Sequence, residues 1–405
     1  MATVGKIQAF LAWMEQQNVN IDNIELRNLP EIDGNGIFAK KNVNADEIVL
    51  EVPFNVLITT STVLNNEDTA EIIKSSPVMF TPSEALALFF LVEQAKPDST
   101  YRPYLDLLPQ TFTTPLALKC TFKDGDLPTG NRERWLEQLE EISVLTSKLQ
   151  HALPSVTDED IRWAWNVVNT RCIHVEDLPL SEEFNNTKGD IVAIIPLVDM
   201  FNHTSGNMSC QPRLRKKKDI YEVISSKMLI GGEELFFNYG THGNDKLWLE
   251  YGFTVPNNPM NTVPITIELF ELLAASVAPS NLLAPNPNVK AFPNEIKKFL
   301  REANCACTIF SSTEGLSTAF KTNVRILFLG RHQYYNWHRV IYGGLSDELN
   351  KNISDMCQKI AEKLRDMLER RRAAASEHTK FLWNDQLDIL NVVISRENHF
   401  IDFLS

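Results

Sequence analysis

The chain has 405 residues, 43% of them hydrophobic, and a net charge of -13 at pH 7. That length exceeds what one core usually organises, so two lobes are expected. No window nears the roughly 18 uninterrupted apolar residues of a membrane span, and the acidity argues against binding nucleic acid through the bulk field, so the expectation is a soluble protein that acts on a basic protein substrate.

The six cysteines, Cys120, Cys172, Cys210, Cys305, Cys307 and Cys357, are scattered, and the N-terminus lacks a secretory pattern. Free thiols in a reducing compartment, cytoplasm or nucleus, follow. The run Arg213, Arg215, Lys216, Lys217, Lys218 reads either as a solvated hairpin tip or as a nuclear-import or acidic-partner patch.

Along the chain, residues 4 to 17 place Val4, Ile7, Phe10, Leu11 and Met14 on one helical stripe. After a glycine turn at Gly34 and Gly36, the run Ile48 to Pro53 reads as a strand. Thr81 with Glu84 forms a capping box around Pro82, predicting a buried apolar helix to Ala95; Thr157 with Asp160 opens a second helix running to Arg171. Helices therefore dominate residues 66 to 172, and the polar stretch Leu180 to Lys188 reads as an exposed loop. Strands return at Ile191 to Leu197, Ile220 to Ser225 and Glu234 to Tyr239, with a turn at Gly231-Gly232. Helical spacing then resumes, most clearly at Ile353, Met356, Ile360, Leu364, Met367 and Leu368.

There is no HExxH, paired CxxC, GxxxxGK[ST] or GxSxG, so zinc proteases, zinc modules, P-loop enzymes and common serine hydrolases lose their sequence support, and no metal is expected. Cys305 and Cys307 read as inert buried thiols. Cys172 and His174 lack an orienting third group for thiolate chemistry. The Gly34-Asn35-Gly36 turn permits close approach of a ligand or merely a tight hairpin. Asn202-His203 is either a capped turn or a polar pair that offers an amide and a backbone to a small molecule; as a glycosylation acceptor it carries nothing without secretion, as at Asn185, Asn207 and Asn352. Tyr239 ends a strand, where a core aromatic is the ordinary reading. If Tyr221, Tyr239 and Tyr251 pack together, they line a channel suited to an alkylammonium.

In order and spacing, Gly34-Asn35-Gly36, the strand ending Val52-Pro53, Pro103-Tyr104, Leu108-Pro109, Asn202-His203, Tyr239-Gly240 and Gly252-Phe253 resemble SET-domain methyltransferases of the Rubisco large-subunit lysine methyltransferase type. Leu249-Glu250-Tyr251-Gly252-Phe253, with the late Leu382-Trp383, Leu387 and Leu390, is most similar to the SET domain-containing protein 4 branch. The resemblance implies an α+β fold: a β-rich SET domain (1–65 and 186–258) split by a helical insert (66–185), then an all-α substrate-binding lobe (259–405). It implies that Asp33, Gly34, Asn35, Gly36, Arg171, Asp199, Asn202, His203, Tyr239 and Phe253 hold S-adenosylmethionine, and that Tyr239 is the catalytic residue. Tyr221, Tyr251, Val198 and Ile173 would line the substrate channel. The actin-histidine methylating members carry Trp and Asn where this chain has Val198 and Ile173, which disfavours histidine as the target. The expected function is a monomeric protein-lysine N-methyltransferase; histidine methylation and an inactive SET-type adaptor are the alternatives.

Overall fold

The computed structural model describes residues 4–175, 182–184, 192–215, 219–283, 292–303, 307–310, 315–328 and 346–395. Ile191, Asn185, most of the loop from Leu180 to Lys188, Lys216, Lys217, Lys218 and Cys305 lie outside the described residues. The chain divides into two units: Met1–Cys120, Arg134–Thr241 and Lys246–Phe253 form one, and Thr121–Glu133, His242–Asp245 and Thr254–Ser405 the other.

The first unit opens with helix α1 (Val4–Gln16), which buries Ile7, Phe10 and Met14, half-buries Leu11 and leaves Val4 exposed. Strands β1 (Ile24–Leu29), β2 (Gly34–Ala39) and β3 (Ile48–Pro53) follow. The expected glycine turn is thereby corrected. Gly34 and Gly36 lie within β2, and the turn is the short Pro30–Ile32 helix closed by Asp33 in the left-handed region at φ 48°. An Asp tolerates that conformation better than most non-glycine residues, so the glycines are free to serve close approach instead.

Helices α2 (Thr60–Asn65), α3 (Glu67–Ser75), α4 (Pro82–Ala95), α5 (Arg102–Leu105), α6 (Thr129–Ala152) and α7 (Asp158–Arg171) come next. Both expected capping boxes form: Thr81 Oγ1 accepts from Glu84 N while the Glu84 carboxylate accepts from Thr81 N, and Thr157 pairs reciprocally with Asp160. Each cap satisfies donors that the first turn would otherwise orphan. Helix α4 is buried without interruption from Ala85 to Glu93, and each of its leucines and phenylalanines contributes about 1.5–3 kcal/mol through burial.

The remaining strands are β4 (Ile173–His174), β5 (Val192–Ala193), β6 (Asn202–His203), β7 (Cys210–Arg215), β8 (Ile220–Ser225) and β9 (Glu234–Phe237). They form sheets ordered β1-β2-β9-β6, β3-β8-β7 and β4-β5. The strand expected over Ile191 to Leu197 is shorter: β5 covers Val192–Ala193, Ile194 adds one bridge to Ile58, and Leu197, at φ 76° and ψ -39°, turns the chain into a single turn of helix at Val198–Met200. β9 ends at Phe237, so Tyr239 stands two residues past the strand. Arg213 and Arg215 are strand residues whose guanidinium groups converge on the buried Glu222 carboxylate, which removes both from a free basic patch.

In the second unit the helix Asp347–Ala374 buries Ile353, Met356, Ile360, Leu364 and Leu368, with Met367 half-buried. Leu382, Trp383, Leu387 and Leu390 are buried on the helix Lys380–Ser395. The unit also holds a ladder that hydropathy did not disclose: β10 (Thr262–Ile265) antiparallel to β11 (Cys307–Phe310). Trp383 Nε1 donates to Asp126 O at 3.0 Å, and the Asp126 carboxylate accepts from Ser376 N, Ser376 Oγ and Lys123 N.

Back in the first unit, Leu247–Tyr251 forms a π-helical turn closed by Gly252 in the left-handed region at φ 84°. A Cβ there would lie 2.5 Å from Thr113 Oγ1 and 2.7 Å from the backbone of Thr113 and Thr114. Gly252→Ala is therefore expected to destabilise the protein by more than about 1 kcal/mol, read as a lower midpoint in urea. Gly5→Ala in α1, where nothing lies within 4 Å, should be neutral or mildly stabilising.

Candidate active site

The sheet β1-β2-β9-β6 brings together residues far apart in the sequence. β2 runs antiparallel to β9, with Ile37 opposite Leu235, and β6 runs parallel to β9, with Asn202 opposite Phe236 and His203 opposite Phe237. A parallel pair needs a long connection, and a strand of only two residues at 202–203 is too short to show any alternation. Asn202 Nδ2 donates to Asn35 O at 3.1 Å and to Glu234 Oε1 at 2.7 Å, tying β6 to β2 across the end of the ladder. The reading of Asn202-His203 as a mere capped turn falls with these bonds.

Gly36 sits where this crossing occurs. A Cβ built on it would meet Glu234 Oε1 and Leu29 Cδ1 at 2.7 Å and Asn202 Nδ2 at 3.1 Å. Asn28 Nδ2 donates to Gly34 O at 3.0 Å, which holds the entry to β2. Asp33, Gly34, Asn35, Gly36 and Asn202 are thus one contiguous edge.

His203 extends the edge toward Tyr239. Its Nδ1 accepts from Tyr239 N at 3.1 Å, and its ring lies 5.1 Å from the Tyr239 ring and 5.9 Å from Phe253. Tyr239 is 5.4 Å from Tyr251, which is 6.1 Å from Phe253. The Tyr239 hydroxyl donates to Phe201 O at 2.6 Å. Burial, moderated by Arg171, drives the Tyr239 phenol well above its usual range. A phenol so placed stays protonated at neutral pH, which suits it to a fixed dipole rather than to a base.

Beside it lies a buried ion pair. Arg171 Nη1 donates to Asp199 Oδ2 at 2.8 Å and to Asp199 O at 3.3 Å, and the fully buried Tyr104 donates its hydroxyl to the same Oδ2 at 2.7 Å. The Asp199 side chain is 0% exposed, yet its Oδ1 has no donor among the described residues; nor has Arg171 Nε an acceptor. Buried polar atoms are rarely left this way, and an ordered water is an ordinary partner for such atoms. The strained Leu197 immediately precedes this turn, at a cost of order 1–3 kcal/mol.

A cavity of about 1400 Å³ opens beside these groups and is walled by Arg171, Asp199, Tyr221, Tyr239 and Tyr251, with Val198 and Ile173 supplying apolar surface. The three tyrosines expected to share a channel do share this cavity. Burial raises the phenols of Tyr221 and Tyr251 as well. Asp33, Gly34, Asn35, Gly36, Asn202, His203 and Phe253 are not in its lining; they are reached from it through the contacts of Tyr239, which stands between the two groups. Cys172 also lines the cavity, but burial raises its thiol far above the usual range, so it is no thiolate nucleophile. Cys307 is buried and accepts from Asn323 Nδ2, as an inert thiol does. Sequence reasoning gave no role to Tyr104 or to the cluster of Glu250, Arg134, Gln138 and Asn169 next to Tyr251, of which Glu250 and Gln138 are buried while Arg134 and Asn169 also line the cavity; Tyr104 and Glu250 lay within recognised motifs, the others had no sequence signal.

A SET-domain family model matches residues 34–240, slightly over half of the chain. The chain belongs to the SET-domain family. It is 25% identical to SET domain-containing protein 4 of Homo sapiens, over 93% of this chain and 88% of that one. It is 27% identical to the actin-histidine N-methyltransferase of Homo sapiens over 64% of this chain and 44% of that protein. The structure of Rubisco LSMT bound to sinefungin and monomethyllysine superposes with a TM-score of 0.62 at 16% identity, covering 97% of this chain and 91% of that one. The SET fold therefore accounts for the split sheets and the helices between them.

Removing one member of a buried pair leaves the other charge uncompensated. Arg171→Leu should cost about 3–5 kcal/mol in urea unfolding, whereas Tyr104→Phe, which removes one donor of two, should cost about 1–3 kcal/mol.

Proposed function

We propose that this SET-domain methyltransferase is a protein-lysine N-methyltransferase that uses S-adenosylmethionine. The observation that carries the reading is Tyr239: its hydroxyl is fixed on Phe201 O, and it stands between the Gly36-Asn202-His203 edge and the aromatic cavity. The edge fits the cofactor on its own terms. Gly36 leaves the room that lets Asn202 and Glu234 stand at this edge, and Phe253 offers an aromatic face beside His203. When bound, S-adenosylmethionine supplies a methyl group on a positively charged sulfur.

The remaining chemistry is carried by this chain. A free lysine amine has a pKa of about 10.4 and must be neutral to attack. Tyr221, Tyr239, Tyr251 and Phe237 line the cavity and strip water from the amine, and desolvation favours its neutral form. The same ring faces attract the alkylammonium on arrival. Tyr239, with its dipole fixed, aligns the nucleophile, and alignment accounts for most of the remaining catalysis. Val198 and Ile173 favour lysine over histidine, because they suit an alkyl chain and give an imidazole's second nitrogen nothing to bond. The substrate we assign is a lysine-bearing protein segment, basic in character given the net charge of -13, methylated by a monomer in the cytoplasm or nucleus.

Labelled methyl transfer to a whole-cell protein extract, followed by mass spectrometry of the labelled residue, tests the assignment. The expected outcome is labelled lysine with wild type and loss of about 100-fold in rate for Tyr239→Phe, the range for a lost preorganised dipole. Labelled histidine would replace lysine in the reading, and absence of cofactor binding by the folded protein would sink it. The pH dependence follows from the raised Tyr239 phenol: its neutral form persists past its usual pKa of about 10. The kcat/KM for a lysine peptide should therefore climb as the amine deprotonates, with no descending limb from Tyr239 below about pH 10.

A further inference from the structure

The cavity wall includes one ring whose support comes from outside its own turn. Tyr251 ends the π-helical turn Leu247–Tyr251, and its ring lies 5.4 Å from Tyr239 and 6.1 Å from Phe253. A π-turn carries an additional residue per turn and is rare except as a single turn at functional sites. Its neighbour Glu250 is 7% exposed. The Glu250 carboxylate accepts from Arg134 Nε at 2.5 Å, Arg134 Nη2 at 3.4 Å, Gln138 Nε2 at 2.8 Å and Asn169 Nδ2 at 3.2 Å. Asn169 Nδ2 also donates to Glu250 O at 2.8 Å. Arg134 and Gln138 lie one turn apart on α6, and Asn169 lies on α7.

A buried carboxylate with these partners has one comfortable position, since any rotation strands a charge or several donors. That fixes the backbone of residue 250, and so the place from which the Tyr251 side chain departs. We propose that Glu250 is a positioning residue for the transfer reaction: by tying the π-turn to α6 and α7 it sets where the Tyr251 ring stands against Tyr239. The proposal rests on the methyltransferase reading for its consequence, though not for its geometry.

Two measurements on the full chain test it. In the first, Glu250→Gln, Tyr251→Ala and the double variant are compared for kcat and KM toward the protein substrate and for cofactor affinity, with melting temperature as a folding check. Glu250→Gln is expected to lower kcat/KM about 10- to 100-fold, the scale of an ångström-level misplacement, while cofactor affinity holds. In the Tyr251→Ala background the same change should cost nothing further, because its effect passes through that ring. Equal losses in both backgrounds would reduce Glu250 to general scaffolding and overturn the proposal. In the second, 3-fluorotyrosine is incorporated and the Tyr251 fluorine resonance assigned through Tyr251→Phe. Glu250→Gln should shift or broaden that resonance, and an unmoved resonance overturns the positioning role. If wild type transfers no methyl to any extract, the methyltransferase reading falls and the fluorine resonance still decides the positioning.

Discussion

The pairing of Asn202 and His203 with Phe236 and Phe237 is the constraint on which the rest of the site depends. Two residues of parallel ladder place the Asn202 amide against Asn35 O and turn His203 Nδ1 toward the Tyr239 backbone. Without that register the amide would meet no carbonyl from β2, and Tyr239 would lose the bond that fixes where its ring leaves the chain. Gly36 belongs to the same constraint, because the crossing occupies the volume of a side chain. A sheet edge, a polar pair and an aromatic ring are thereby one geometric object.

The second determinant is electrostatic. The Asp199 carboxylate is removed from water and shares one oxygen between Arg171 and Tyr104, and the turn that presents it begins at a leucine with positive φ. Buried pairs of this kind seldom add net stability over apolar replacements. Strain and an incompletely bonded carboxylate together describe a wall preorganised for something other than stability. The low dielectric that makes such a pair costly also magnifies its field in the adjacent cavity.

What the sequence disclosed was local. Both capping boxes form, since their partners lie three residues apart, and the long apolar run after Thr81 is fully buried. The tyrosines at 221, 239 and 251 meet one cavity, as their placement on successive elements allowed. Glycines 34 and 36 misled in form, since φ-permissive residues read as a turn while their use here is space within a strand. The ladder between Val263 and Ile309, the Glu250 cluster and the Tyr104 hydroxyl bond span tens to over a hundred residues, and no periodicity records such distances. The family motifs succeeded where periodicity failed because they mark the pieces of chain that meet.

Asp126 carries a consequence for synthesis. Its carboxylate and carbonyl are satisfied by Ser376 and Trp383, 250 and 257 residues further on. During translation at roughly 5–20 residues per second, the segment around it waits on the order of 10–50 s for those partners to emerge. In that interval Asp126 keeps, among the described residues, its hydrogen bonds with Lys123, and the second unit cannot complete these contacts until residues 376–383 have emerged. Loop closure over such separations is slow, so the nascent chain passes through a stage in which helix faces destined for that unit stand exposed, and its yield in the cell should depend on chaperone protection more than its final stability indicates.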